Sequence, residues 1–130
     1  MSSAPPSTSP TTAVVVAGEE ETRVLLRGLL RLHRFRVLGE ASGVTPGLQI
    51  LDTQAPTVLV VDSELAEGTA VDLVVEGKRR HPRTRVVLVA HGSRPMLPPD
   101  APAPDVVLQR PFRIREFAEA ITVPPEETPP

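Results

Sequence analysis

Short apolar runs alternate with stretches of helical spacing along the middle of this chain, and that alternation constrains its fold more than any other feature. Residues 13–17 (AVVVA), 57–61 (TVLVV) and 85–90 (RVVLVA) are continuous and rich in β-branched side chains. Runs of this type suit strands buried on both faces. Residues 35–39 (FRVLG) and 106–109 (VVLQ) read as two further strands. Between them lie amphipathic segments. Residues 19–33 place Leu25, Leu29 and Leu32 on one face and Arg23, Arg27 and Arg31 on another, with Glu19, Glu20 and Glu21 where a helix dipole favours acids. Residues 45–53 begin with Thr45 as N-cap and Pro46 at the first helical position. Residues 69–80 predict a third helix, and residues 114–121 a closing one with Phe117 and Ile121 inward.

Strand–helix alternation implies a parallel sheet with right-handed crossovers and helices on both faces. Five strands in a doubly wound α/β sheet predict the flavodoxin-like order 2-1-3-4-5, with ligand chemistry at the carboxyl ends of the strands. One connection breaks the pattern. Residues 91–105 contain Pro95, Pro98, Pro99, Pro102 and Pro104. Each proline removes a backbone donor and clashes one turn back. The fourth helix is therefore expected to be degenerate, and residues 93–104 to form an extended, partly polyproline loop.

The chain has 130 residues, room for one domain. Seven of its 16 prolines fall near the ends, among Ser, Thr and Glu. Segments 1–12 and 123–130 are expected to be disordered tails around a folded unit at 13–122. The net charge of −2 lacks the basic excess of a nucleic-acid-coating protein. Aromatic side chains amount to Phe35, Phe112 and Phe117, a poor base-stacking platform. The absence of cysteine excludes a disulfide scaffold and a thiolate nucleophile. No run approaches the ~18 apolar residues of a membrane span. The beginning of the chain lacks a signal-peptide pattern, so a cytoplasmic location is expected.

Several segments carry a resemblance. Val58-Leu59-Val60-Val61-Asp62 precedes a polar loop containing Gly68, and Gln109-Arg110-Pro111-Phe112 follows the last strand. Gly39-Glu40-Ala41-Ser42-Gly43 is similar to the second-strand signature of receivers attached to helix-turn-helix output domains, and Arg23 fits the first helix. Together these resemble the receiver domain of bacterial response regulators. The resemblance implies that Asp62 holds the phosphoacceptor position, where a histidine kinase would deliver a phosphoryl group. It also implies an acidic pair for Mg²⁺ after the first strand, a switch hydroxyl ending the fourth, and a lysine before Pro-Phe. Here the pair falls on Ala17 and Gly18, the hydroxyl on Ala90 (Val89 in a slipped register) and the lysine on Arg110. Glu19 and Asp62 are weak metal candidates.

Phosphoryl transfer depends on positioning and charge neutralisation. Mg²⁺ needs oxygen ligands, and Ala17 and Gly18 supply no side-chain oxygen. Asp62 is accordingly expected to be inactive as a phosphoacceptor and to pair with Arg110 or cap the following loop. The arginine stripe of the first helix is expected to be a solvated face, with docking as the sharper option. His33, His81 and His91 are not spaced as metal ligands. The leading expectation is an atypical, phosphorylation-independent receiver, not an enzyme, that contacts a protein partner in signalling or transcriptional regulation. It would use no cofactor, bind no nucleic acid directly and leave a homodimer open. The alternatives are a conventional single-domain response regulator phosphorylated on Asp62 with Mg²⁺, and a small flavodoxin-like ligand binder or enzyme.

Overall fold

The computed structural model describes residues 11–92 and 96–122. Nine elements follow in chain order: β1 Thr12–Val16, α1 Glu20–Leu32, β2 Arg36–Ala41, α2 Val44–Thr53, β3 Val58–Asp62, α3 Ala70–Arg80, β4 Arg85–Ala90, β5 Val106–Gln109 and α4 Ile114–Ile121. All strand pairs are parallel, in the order β2-β1-β3-β4-β5. The doubly wound architecture expected from the alternation is therefore the one observed.

The period of two along the strands divides the core. Ala13, Val15, Val58, Val60, Val87 and Val89 face the side covered by α1 and α4. Val14, Val16, Leu59, Val61, Val86 and Leu88 face α2 and α3. All twelve are fully buried, and each such valine or leucine contributes about 1.5–3 kcal/mol. The central strands thus read as uninterrupted apolar runs because both faces are covered.

Several boundaries differ from expectation. β1 begins at Thr12 and leaves Ala17 in the following turn. Thr12 pairs with Arg36 of β2, and its amide and hydroxyl also engage the hydroxyl of Thr57, just before β3. Segments 1–10 and 123–130 lie outside the described residues. β2 runs to Ala41 rather than stopping at Gly39, and β3 includes Asp62. α1 and α3 each begin one residue later than expected. Thr69 caps α3, its hydroxyl accepting from the Asp72 amide at 3.1 Å. α2 starts at Val44 with Gly43 as N-cap, so Thr45 is not the cap and Pro46 is the third helical residue. The capping is supplied from a distance. The Glu67 carboxylate accepts from the Thr45 amide at 2.9 Å and from its hydroxyl at 3.0 Å.

The inward face of α1 is also corrected. Thr22, Leu26 and Leu30 are its buried residues, while Leu25 and Leu32 are exposed and Leu29 is half-buried. Nor is the arginine stripe simply solvated. An Arg23 terminal nitrogen donates to the carbonyls of Ala17 and Gly18, and one of Arg27 meets Glu40 at 2.6 Å.

No helix forms between β4 and β5 among the described residues. From Met96 to Asp105 the chain is irregular, with one turn closed by the Ala101 amide on the Pro98 carbonyl. Residues 93–95 of the expected polyproline loop lie outside the described residues. The far end is tied down. Asp105 Oδ2 accepts from the Val86 amide at 2.7 Å and from Lys78 Nζ at 3.0 Å.

Candidate functional site around Asp62

Asp62 ends β3 at the carboxyl edge of the sheet, beside Val89 of β4. Its side chain is only 3% exposed, so its oxygens need partners from the protein. Oδ1 lies 2.7 Å from His91 Nε2, and Oδ2 accepts from the Glu64 amide at 3.0 Å. An ionised carboxylate only accepts, so His91 Nε2 carries the proton it donates.

Arg110 was expected to be the ion partner of Asp62. Its nearest terminal nitrogen stands 3.9 Å from Oδ1 and 3.3 Å from His91 Nε2. A ring nitrogen that donates to Asp62 has no lone pair left for Arg110. The guanidinium therefore supports the carboxylate through its charge, from beside the imidazole and at the outer limit of an ion pair. The histidine, absent from the expected site, makes the direct contact.

His91 is positioned by the frayed ends of two strands. Its amide donates to Ser63 Oγ at 3.2 Å, and the Ser63 amide donates to the Val89 carbonyl at 2.8 Å. The Gln109 side-chain amide bridges the carbonyls of Ala90 and Gly92. Ala90 is fully buried and presents only a methyl group where the resemblance implies a hydroxyl.

The opposite wall is built from Ala17 and Gly18. The Gly18 amide donates to the Glu64 carbonyl at 2.8 Å. A Cβ at Gly18 would lie 2.9 Å from both the Ala66 nitrogen and the Glu64 oxygen. The loop after β3 thus occupies the space a longer side chain would need. Glu19 is exposed and is the N-cap of α1, without a side-chain capping bond.

These residues do not fit Mg²⁺. The one buried carboxylate has each oxygen engaged, the two positions facing it carry no side-chain oxygen, and the Glu64 carbonyl is bonded to Gly18. Among the described residues no three His, Cys, Asp or Glu side chains gather as a cation site. A cavity of about 520 Å³ opens at the other end of the sheet, between Ala55, Pro56, Arg80, His81 and Arg83, away from the strand ends that carry Asp62.

No family model matches this sequence, and no curated protein matches it either. Solved structures do match. The signal receiver domain of an HD domain-containing protein from Pseudomonas fluorescens Pf-5 superimposes with a TM-score of 0.75 at 18% identity, over 86% of this chain and 91% of that one. A LuxR-family DNA-binding response regulator from Staphylococcus aureus gives 0.71 at 19% identity, over 85% and 95%. An anti-anti-sigma factor from Bartonella quintana gives 0.73 at 17% identity, over 86% of this chain and 47% of that longer one. The fold is that of a response regulator receiver. Among its described residues no helix is long and apolar enough to cross a membrane.

Proposed function

We propose that this chain is an atypical receiver that works as a protein-interaction module without phosphorylation of Asp62. The observation that carries this reading is the contact between His91 Nε2 and Asp62 Oδ1 at 2.7 Å. It puts an imidazole where an incoming phosphoryl group would have to approach. Three further features support it. Gly18 is pressed against the loop after β3, Ala90 has no hydroxyl, and Arg110 stands nearer to His91, at 3.3 Å, than to the carboxylate, at 3.9 Å.

On this reading the chain is a regulator and not an enzyme, and it needs no Mg²⁺. Its partners are proteins of a signalling or transcription pathway in the cytoplasm, and any DNA contact comes through them. The test is incubation with acetyl phosphate and Mg²⁺, followed by intact mass, alongside NMR titration with beryllofluoride. The expected result is no phosphoryl adduct and no shift in the amides from Asp62 to Gly68. A stable adduct that Asp62→Asn abolishes would establish a conventional phosphorylated regulator instead.

A further inference from the structure

The outward side of α1 is unlike a solvated helix face. Val24, Leu25 and Leu32 are 47%, 43% and 62% exposed. Beside them a groove of about 260 Å³, lined by Leu25, Leu29, Arg110, Pro111, Phe112 and Ile114, leads to the start of α4. Isolated exposed apolar residues need no explanation, but a contiguous set on one helix marks an interaction surface.

Gly28 lies in the middle of that face. A mid-helix glycine weakens a helix relative to alanine. Every other glycine of the eight has a neighbour within 4 Å of where its Cβ would stand, or a positive φ. At Gly28 a Cβ would meet nothing within 4 Å. Among the described residues nothing packs where that side chain would stand. The distance between packed helices depends on the side chains at their crossing point, and a glycine there permits close approach.

Charge identifies what approaches. Glu20 and Glu21 are exposed at one end of α1, and Arg31 and Arg34 are exposed at or just past the other. None of the four enters an ion pair among the described residues. The face is acidic, then apolar, then basic, and is complementary to itself when reversed. Val24 and Leu32 each stand four positions from Gly28.

We propose that this face is a homodimer interface in which two antiparallel α1 helices cross at the Gly28 of each chain. A two-fold axis there sets Val24 against the partner's Leu32, and Glu20 and Glu21 near the partner's Arg34. The contact is isologous, the commonest kind in soluble oligomers, and it opposes the two helix dipoles. The proposal names a partner for the interaction role above and rests on that role to this extent. It does not depend on the chemistry of Asp62.

Sedimentation equilibrium of the full chain tests it, with thermal melts on each variant. The wild type is expected to be a reversible dimer. Gly28→Gln is expected to be a monomer that melts no lower than wild type, because its side chain enters open space and glutamine favours the helix. The pair Glu20→Arg and Glu21→Arg, and separately Arg34→Glu, should each weaken self-association about tenfold or more. Mixing these two variants should restore a dimer containing one of each. A wild type that stays monomeric, a dimer indifferent to Gly28→Gln, or a mixture that fails to pair would each overturn the interface. A monomer that also resists acetyl phosphate refutes the dimer alone. A dimer phosphorylated on Asp62 refutes the functional reading alone.

Discussion

His91 and Asp62 lie 29 positions apart and meet at 2.7 Å, with the carboxylate buried and the imidazole at the rim. The pair closes the carboxyl end of β3 from the β4 side. A hydrogen bond to a charged group contributes about 1.5–3 kcal/mol, and leaving a buried carboxylate short of a donor costs at least as much as a neutral group. His91→Ala should therefore lower stability by about 1–3 kcal/mol in urea unfolding. In a double-mutant cycle with Asp62→Asn, the two substitutions should be strongly non-additive. Simple additivity would mean that the contact carries no energy.

Restoring an acid opposite Asp62 should fail. Gly18→Asp puts a Cβ 2.9 Å from backbone atoms of Glu64 and Ala66, which cannot rotate aside as a side-chain tip could. The expected outcome is destabilisation of about 2 kcal/mol or more, with no Mg²⁺-dependent rise in melting temperature. A stable variant that gains Mg²⁺ affinity would show that the loop yields.

Gly68 has two reasons to be glycine. Its φ is +77°, and a Cβ would lie 2.4 Å from Val44 Cγ2. Left-handed backbone alone costs a non-glycine residue about 1 kcal/mol or more, and the clash adds to it. Gly68→Ala should lose about 2–3 kcal/mol in chemical denaturation. Pairing it with Val44→Ala should recover part of that loss, the share due to contact.

Glu67 acts as the missing cap of α2. Glu67→Ala should cost about 1 kcal/mol, the usual value of a cap, and should speed hydrogen exchange at the Thr45 amide. Glu67→Gln should cost less, since its amide oxygen can still accept one of the two bonds. Equal losses in the two variants would argue against a capping role.

The strands were legible because both faces of the sheet are covered, so residues such as Val14 and Val15 are apolar whichever way they point. The Pro-rich connection was legible because backbone chemistry forbids a helix there. The orientation of α1 was not. Leu25, Leu29 and Leu32 satisfy helical spacing as well as Thr22, Leu26 and Leu30 do, and only packing against β1 decides between the two sets. Asp62 and the lack of oxygen at Ala17, Gly18 and Ala90 could be read from order along the chain. His91 could not, because its partner is set by strand register and not by spacing along the chain. A signal existed: Ala90 sits at the end of β4 and His91 directly follows it, next to the edge where Asp62 had already been placed. Glu67 left no such trace, since capping across 22 positions has no local pattern.

The loop that follows Asp62 is tied to β4 at its first residue, Ser63, and from Glu64 onward its ties lie on the other side of the sheet's centre. Its first turn holds the Gly18 amide through Glu64, its middle holds the Ser42 carbonyl through the Ala66 amide, and its end holds α2 through Glu67. Toward β5, by contrast, Ala90 presents a methyl group and no helix follows among the described residues. A push on this loop would therefore travel toward β1, β2 and α2. The levers of the molecule point away from the edge formed by β4 and β5, and a partner that seizes the loop would be felt at the opposite flank.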